Sequence, residues 1–258
     1  MKEKEMIFGL RAVIEAAQAG KDIDKVLVKR ELQGELFREL QDVMALHEIP
    51  IQKVPLERID RFTRKNHQGV LAFISAVTYQ KIEDIVPMLY EEGKNPFIVV
   101  LDGITDVRNF GAIARTCEVA GVDAIVLPAY GSVRVTADAV KTSAGALHSS
   151  PVCRELNIKA AVQFLKNSGI KIVAATEKAA ENYTTSSYTD PVAILMGAED
   201  VGISDELLKI SDELVKLPIF GTIESLNVSV AAGDAGWNTK FTLSFFIHHV
   251  HSFSLNME

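Results

Sequence analysis

The amino-acid sequence predicts an α/β protein made of a small N-terminal unit and a larger unit built on a parallel sheet. Three observations carry this. Over residues 1–75 short β-type runs alternate with amphipathic helical runs. The run 97-FIVVLDGI-104 is almost continuously apolar, as expected of a strand covered on both faces. Beyond it strands and helices alternate again, the order that builds a parallel sheet from crossover units. With 258 residues the chain is long enough for one large core or two smaller ones.

Each element has its own signal. LRAVIEAAQAG places apolar residues at helical spacing and stops at Gly20. DKVLVK is a short strand, ELFRELQDVMALHE a second amphipathic helix, and IPIQKVP another strand. LERIDRFTR reads as a short helix and GVLAFISAV as the last strand of the unit. This predicts an N-terminal domain over 1–76, a linker over 77–96 with a helical piece between Pro87 and Pro96, and a second domain over 97–258. In the second domain the strand at 97 leads to a helix (NFGAIARTCEVAG), a strand (DAIVLP) and two helices (SVRVTADAVKTSAGAL, IKAAVQFLKNSG). Two strands (IKIVAAT, VAILMGA), a helix (SDELLKIS) and a strand (DELVKLP) follow. No internal repeat or low-complexity tract interrupts the pattern.

Composition narrows the function classes. Apolar residues at 48% and charged residues at 24% are ordinary globular usage. No apolar run has the roughly 18–20 residues that span a bilayer, and the first twenty residues mix acids with bases rather than forming an apolar leader. A cytoplasmic protein without a membrane partner is expected. Cys117 and Cys153 have no metal-ligand spacing and read as buried thiols; no metal is expected. The net charge of −7 argues weakly against nucleic acid. It is unevenly spread, however. The acidic excess lies beyond residue 75, and 58-RIDRFTRKNHQG-69 gathers Arg58, Arg61, Arg64, Lys65 and His67. Screening limits the reach of distant charge to about 10 Å, so a local basic face can hold RNA on an acidic protein.

Three strand-end loops carry the chemistry. In 105-TDVRNFGAIARTCEVAG-121 a buried strand gives way to a helix, where backbone N–H groups favour anions; Asn109 and Gly111 stand at the turn and Arg115 follows. Alone, this reads equally as Asn109 capping a helix and Arg115 as a surface cation. In 194-ILMGAEDVGISDELL-208 Gly197 and Gly202 bracket Glu199 after a strand, ahead of a helix capped by Ser204. This is where open α/β sheets bind ligands. The third loop leaves a strand at Leu217-Pro218-Ile219, turns at Gly221 and enters 225-SLNVSVAAG-233.

Together, in the order NxGxxxR, GxExxG, PxxGxxxSLNVSVA, these motifs resemble the SpoU (TrmH-like) branch of the SPOUT superfamily of S-adenosylmethionine-dependent RNA methyltransferases. They cover about half of the second domain. The N-terminal unit, with IFGLRAVIEAA and NHQGVLA, is similar to the substrate-binding domain of the subgroup that 2′-O-methylates a guanosine of large-subunit ribosomal RNA.

The resemblance implies an L30e-like α/β N-terminal domain and an α/β-knot catalytic domain whose deep C-terminal trefoil knot is an exception to unknotted topology. It implies a homodimer and bound S-adenosylmethionine. Gly197, Leu217 and Leu226 would hold the cofactor, largely through main-chain groups, with Met196, Ile219 and Asn227 beside them. Arg115 would help activate the ribose hydroxyl, with Asn109, Glu199 and Ser229 positioning it. Arg61, Arg64 and Lys65 are the candidate RNA-binding residues. KTSAGA (141–146) also matches the family, near the expected dimer and substrate face. Transfer RNA is the alternative substrate, and a non-catalytic knotted RNA-binding or ribosome-assembly protein the alternative class. The joint presence of Asn109, Arg115, Glu199 and Asn227 favours the enzyme. After Gly233 the sequence departs from the family. Asp234 and Gly236 interrupt the expected amphipathic helix, and 234–258 is an atypical tail whose histidines His248, His249 and His251 read as incidental. A shift of reading frame near Gly233 is one account, testable by resequencing.

Overall fold

The computed structural model describes residues 6–198, 200–218 and 231–232. The chain divides into two compact units. The first comprises Met1–Tyr79 together with Arg134–Asp138, the second Gln80–Val133 and Ala139–Glu258.

The first unit runs β1 (Met6–Phe8), α1 (Leu10–Gln18), β2 (Ile23–Lys29), α2 (Glu35–Leu46), β3 (Ile51–Val54), α3 (Leu56–Asp60) and β4 (Val70–Ile74). Its four strands lie in the order β1-β4-β2-β3, with β2 and β3 parallel and β4 antiparallel to β1 and β2. Alternation along the strands divides the apolar residues between two faces. Val26, Val28, Val70 and Ala72 pack with Val13, Ala17, Leu40 and Met44 of α1 and α2. Leu27, Leu71, Phe73 and Val54 form a second cluster with Ile59 of α3, and Phe62 meets Phe73 edge-on at 5.0 Å. The helical and strand periodicities place these elements as the sequence predicts. Only β1, three residues long, escapes the pattern.

The second unit follows β5 (Tyr79–Gln80) with α4 (Ile82–Glu91), β6 (Phe97–Asp102), α5 (Val107–Ala120), β7 (Ala124–Pro128), α6 (Ala137–Thr142), β8 (Val152–Glu155), α7 (Ile158–Asn167), β9 (Lys171–Ala175), β10 (Glu181–Asn182), β11 (Val192–Gly197), α8 (Asp205–Leu208) and β12 (Glu213–Lys216). The sheet order is β10-β12-β9-β11-β6-β7-β8-β5. The pairs from β10 through to β8 are parallel. From β6 the chain builds outward through β7 and β8. It then crosses to the other side, laying down β9 and returning to insert β11 directly beside β6. The boundary between β6 and β11 is therefore where the winding direction reverses.

Two expectations about elements change. The helix predicted between Pro87 and Pro96 begins at Ile82 and contains Pro87. Proline removes one helical hydrogen bond at a cost of about 3 kcal/mol. Burying Ile82, Ile85, Val86 and Leu89 in the core of the second unit, at about 1.5–3 kcal/mol per large side chain, outweighs that cost. The helix predicted over SVRVTADAVKTSAGAL is confined to Ala137–Thr142, with a separate 3₁₀ turn at Ala146–His148. Residues 133–136 lie outside the helix instead, where the Val133 N–H donates to the Ile104 carbonyl and the Val135 carbonyl accepts from the Ala76 N–H. β-branched Val133, Val135 and Thr136 are weak helix formers. Gly145, in the left-handed region at φ 91°, ends the helical path.

The two sheet-starting loops use the same device. Asp123 accepts from the Phe97 N–H at 2.9 Å and returns its own N–H to the Phe97 carbonyl, pinning the start of β6. Asp212 does the same with Ile172 at the start of β9. Lys166 and Lys171 close on this corner, 2.7 Å from Asp212 and 2.6 Å from Glu213.

Candidate active site

Register across the parallel strands defines one edge. Gly197 lies opposite Asp102, Met196 opposite Ala175, and Ala175 opposite Val215. The carboxyl ends of β12, β9, β11 and β6 thus come out together, presenting Leu217, Thr176, Gly197 and Asp102 in a row. Open α/β sheets bind ligands outside such ends, at the point where winding reverses. Met196 is buried, while Gly197 and Leu217 are half-buried at the rim. The structure therefore brings three of the predicted cofactor residues to one edge.

The loop after β11 is closed tightly on itself. The Gly202 N–H donates to the Ala198 carbonyl at 2.8 Å, and the two residues form an isolated bridge. A Cβ on Gly197 would lie 2.1 Å from the Gly202 carbonyl carbon and 2.3 Å from the Ile203 nitrogen, so only glycine fits. Beyond the turn, Ile203 and Leu207 are buried in the core of the unit. Ser204 stands at the N-cap of α8 but its hydroxyl makes no capping bond. Its N–H donates to Asp102 Oδ2 at 2.8 Å instead. Asp102 thereby ties the loop to the end of β6. It went unpredicted, its signal being an Asp-Gly pair closing an otherwise apolar strand.

Helix α5 opens on the same edge, five residues after β6 ends. Its N-cap is Asp106, whose carboxylate accepts from the Arg108 and Asn109 N–H groups at 2.9 and 2.8 Å. This corrects the plain reading of Asn109 as the cap: Asn109 sits in the first turn, half-buried, and Asp106 takes the capping role. Arg115 begins the third turn, six residues on, about 9 Å further along the axis, and is exposed. It lies on the same side of the helix as Gly111, four residues earlier. There α6 approaches so closely that a Cβ would lie 2.6 Å from Thr142 Cβ and 2.9 Å from the Ala139 carbonyl oxygen. KTSAGA is thus packed against α5 from its first residues.

Glu199, Ile219, Leu226, Asn227 and Ser229 lie outside the described residues, as do the atypical tail and the chain over which the knot is expected. Arg61, Arg64 and Lys65 are exposed on the first unit, after α3, with the Lys65 ammonium 5.8 Å from the Phe8 ring. Cys117 and Cys153 are buried and unpaired with one another; burial pushes the Cys117 thiol up to about 12 and raises Cys153 further, so neither is a nucleophile at neutral pH. Among the described residues no group of His, Cys, Asp and Glu is arranged to hold a metal ion, and no helix is long and apolar enough to cross a membrane.

A sheet edge at the point where winding reverses, with a glycine-tight loop on one side and a polar helix start on the other, is the candidate ligand site of a parallel α/β domain. Comparison with known proteins then fixes the family. Residues 96–235 match the SpoU rRNA Methylase family, and residues 6–80 match the RNA 2′-O ribose methyltransferase substrate-binding domain. The chain belongs to the SpoU family of RNA methyltransferases. The first match ends two residues past Gly233, where the sequence itself changes character. A Bacillus subtilis protein assigned to the TrmH family of tRNA/rRNA methyltransferases is 30% identical over 90% of this chain and 93% of its own. A Staphylococcus saprophyticus protein of the same assignment is 32% identical over 89% and 92%. Among solved structures, the AdoMet-bound rRNA methyltransferase of Sinorhizobium meliloti is similar at TM-score 0.58 and 26% identity, over 92% of this chain and 86% of that one. The SpoU methyltransferase AviRb of Streptomyces viridochromogenes shares the fold at TM-score 0.57 and 19% identity, over 91% and 88%.

Proposed function

We propose that this chain transfers a methyl group from S-adenosylmethionine to the ribose 2′-hydroxyl of a guanosine in large-subunit ribosomal RNA, working in the cytoplasm as a homodimer. The observation that carries the reading is the meeting, at one sheet edge, of the Gly197 loop, Leu217 and the start of α5 with Asn109. The residues present suit the cofactor in kind. They offer main-chain groups and apolar side chains at the ends of β11 and β12, where Met196, Gly197 and Leu217 would hold it, joined by Ile219, Leu226 and Asn227. When bound, S-adenosylmethionine supplies an electrophilic methyl carbon.

The protein's own task is positioning. Aligning a nucleophile for in-line displacement supplies much of the rate in such a transfer. A ribose hydroxyl is a poor nucleophile at neutral pH and needs a base or a charge partner. An arginine side chain carries a permanent positive charge and is a poor general base, so the contribution of Arg115 is electrostatic: it stabilises the developing oxyanion or orients an RNA phosphate that takes the proton. Asn109, Glu199 and Ser229 orient the ribose, and Arg61, Arg64 and Lys65 bind the RNA. Transfer RNA is the second reading, favoured by the assignment of the relatives to tRNA/rRNA methyltransferases.

Mapping ribose methylation in ribosomal and transfer RNA from a deletion strain separates the two. A missing guanosine 2′-O-methyl in the large-subunit RNA supports the reading, a missing one in transfer RNA replaces it, and no missing methyl refutes both. Arg115→Ala should abolish transfer, a fall of at least about 100-fold, while calorimetry finds cofactor affinity within about twofold of wild type. Equal loss of both would remove Arg115 from its assigned role.

A further inference from the structure

The first unit carries a cluster of cations that the run Arg61, Arg64, Lys65 does not include. Lys25 on β2 stands directly opposite Phe73 on β4, so both project from the sheet face that α3 covers. On that face the Arg134 guanidinium lies 4.0 Å from the centre of the Phe73 ring. Arg134 comes from the short stretch Arg134–Asp138 that belongs to the first unit despite its distance in sequence. Arg58 projects from α3 and is exposed. The three cations come from three separate stretches of chain, and among the described residues none forms an ion pair or a side-chain hydrogen bond.

Their charges bear on Lys25. Its ammonium is held below its usual value, first by burial; Asp24 opposes the shift, and Arg134 and Arg58 add to it. Lys25 and Arg134, both half-buried, thus meet about Phe73, with exposed Arg58 on the helix that covers the same face, and no ion pair closes on them among the described residues. Like charges at close range repel, and an anion held between them removes that repulsion. Arg134 is prepared for this. Its guanidinium is held over the Phe73 ring by a cation–π contact, and a guanidinium so held can still present N–H donors to an oxyanion.

We propose that Lys25, Arg58 and Arg134 form a phosphate-binding cradle on the α3 face of the first unit, taking the phosphodiester backbone of the RNA substrate. The proposal rests on the RNA reading above and deepens it. It extends substrate binding from Arg58, at the start of the basic stretch, to Lys25 and Arg134 outside it, and Arg134 lies beyond the 6–80 stretch that matches the substrate-binding domain.

The test uses the full chain and two probes, in-vitro-transcribed large-subunit ribosomal RNA and a transfer RNA transcript, in titrations at several salt concentrations. Lys25→Gln, Arg58→Gln, Arg134→Gln and the triple variant are compared with wild type and with the triple Arg61→Gln/Arg64→Gln/Lys65→Gln. Removing one phosphate-binding cation should lower the slope of log K against log salt by about 0.7–0.9, so in the cradle triple the slope should fall by about 2–3, with S-adenosylmethionine affinity unchanged. Arg58→Gln, at an exposed position, reports on the cradle even if Lys25→Gln fails to fold. A folded cradle triple with the wild-type slope overturns the proposal while leaving the RNA reading standing. Wild-type protein that binds S-adenosylmethionine but neither RNA overturns the reading and the proposal together.

Discussion

At the residue scale the site depends on atoms that are absent as much as on those present. Gly197 has no room for even one carbon, because the chain returns over it at Gly202 and Ile203. Gly197→Ala should therefore force the Ala198–Gly202 turn open. We expect a loss of about 1–3 kcal/mol in a denaturant titration and at least a tenfold loss of cofactor affinity by calorimetry. A variant matching wild type in both would mean that the loop is not the cofactor's cradle. The sequence marked Gly197 by its position after a strand. It could not mark Asp102, whose role is to receive the Ser204 N–H across 102 positions of chain, nor decide between Asn109 and Asp106 as the cap. That choice turns on which residue leaves the helical backbone, and both are good capping types.

At the scale of elements, the corner formed by β9 and β12 is held by charge. Glu213 is kept below its ordinary value, first by the hydrogen bond from Lys171. Asp212 is also lowered: burial acts against the shift, and Lys166 with the Ile172 N–H overcomes it. A carboxylate with a depressed folded-state pKa contributes stability that is complete above its unfolded value. That contribution is lost as pH falls through the folded value. The unfolded references are 4.5 for glutamate and 3.8 for aspartate, so the loss belongs to the acidic side of about pH 4.5. Melting temperature should fall between about pH 5 and pH 3, and fall less steeply in Asp212→Asn/Glu213→Gln. Parallel slopes would show that the corner contributes nothing there. Both carboxylates are about a third or more exposed, so the effect will be modest. Helix α4 teaches the complementary lesson. Local proline chemistry argues for a start after Pro87, but the apolar spacing of Ile82, Ile85, Val86 and Leu89 decides the outcome.

At the scale of the whole molecule, each unit has its own core, and the proposed functions divide between them. Leu40 is fully buried in the cluster of the first unit. Leu40→Ala should cost about 2–5 kcal/mol there. We expect RNA affinity to fall sharply under mild denaturant while the melting transition that S-adenosylmethionine raises stays in place. A cofactor-protected transition that moves by the same amount would show that the units do not unfold separately. The net charge of −7 is compatible with an RNA partner because the cations of the first unit act locally.

The sequence by itself determined the class of fold, the order of the elements other than β1, β5, β8 and β10, and the loops that follow β6 and β11. These rest on periodicity, apolar runs and short motifs, all properties of neighbouring residues. It determined the family too, since NxGxxxR, GxExxG and SLNVSVA occur together in order. The tertiary structure alone decided that β11 returns to lie beside β6, so that Gly197 faces Asp102 at the reversal of winding. It alone brought Arg134 over Phe73 beside Lys25, from a distant part of the chain. Strand insertion and cation clustering are set by pairings between distant segments, and no local propensity encodes which distant segment a strand or an arginine will meet.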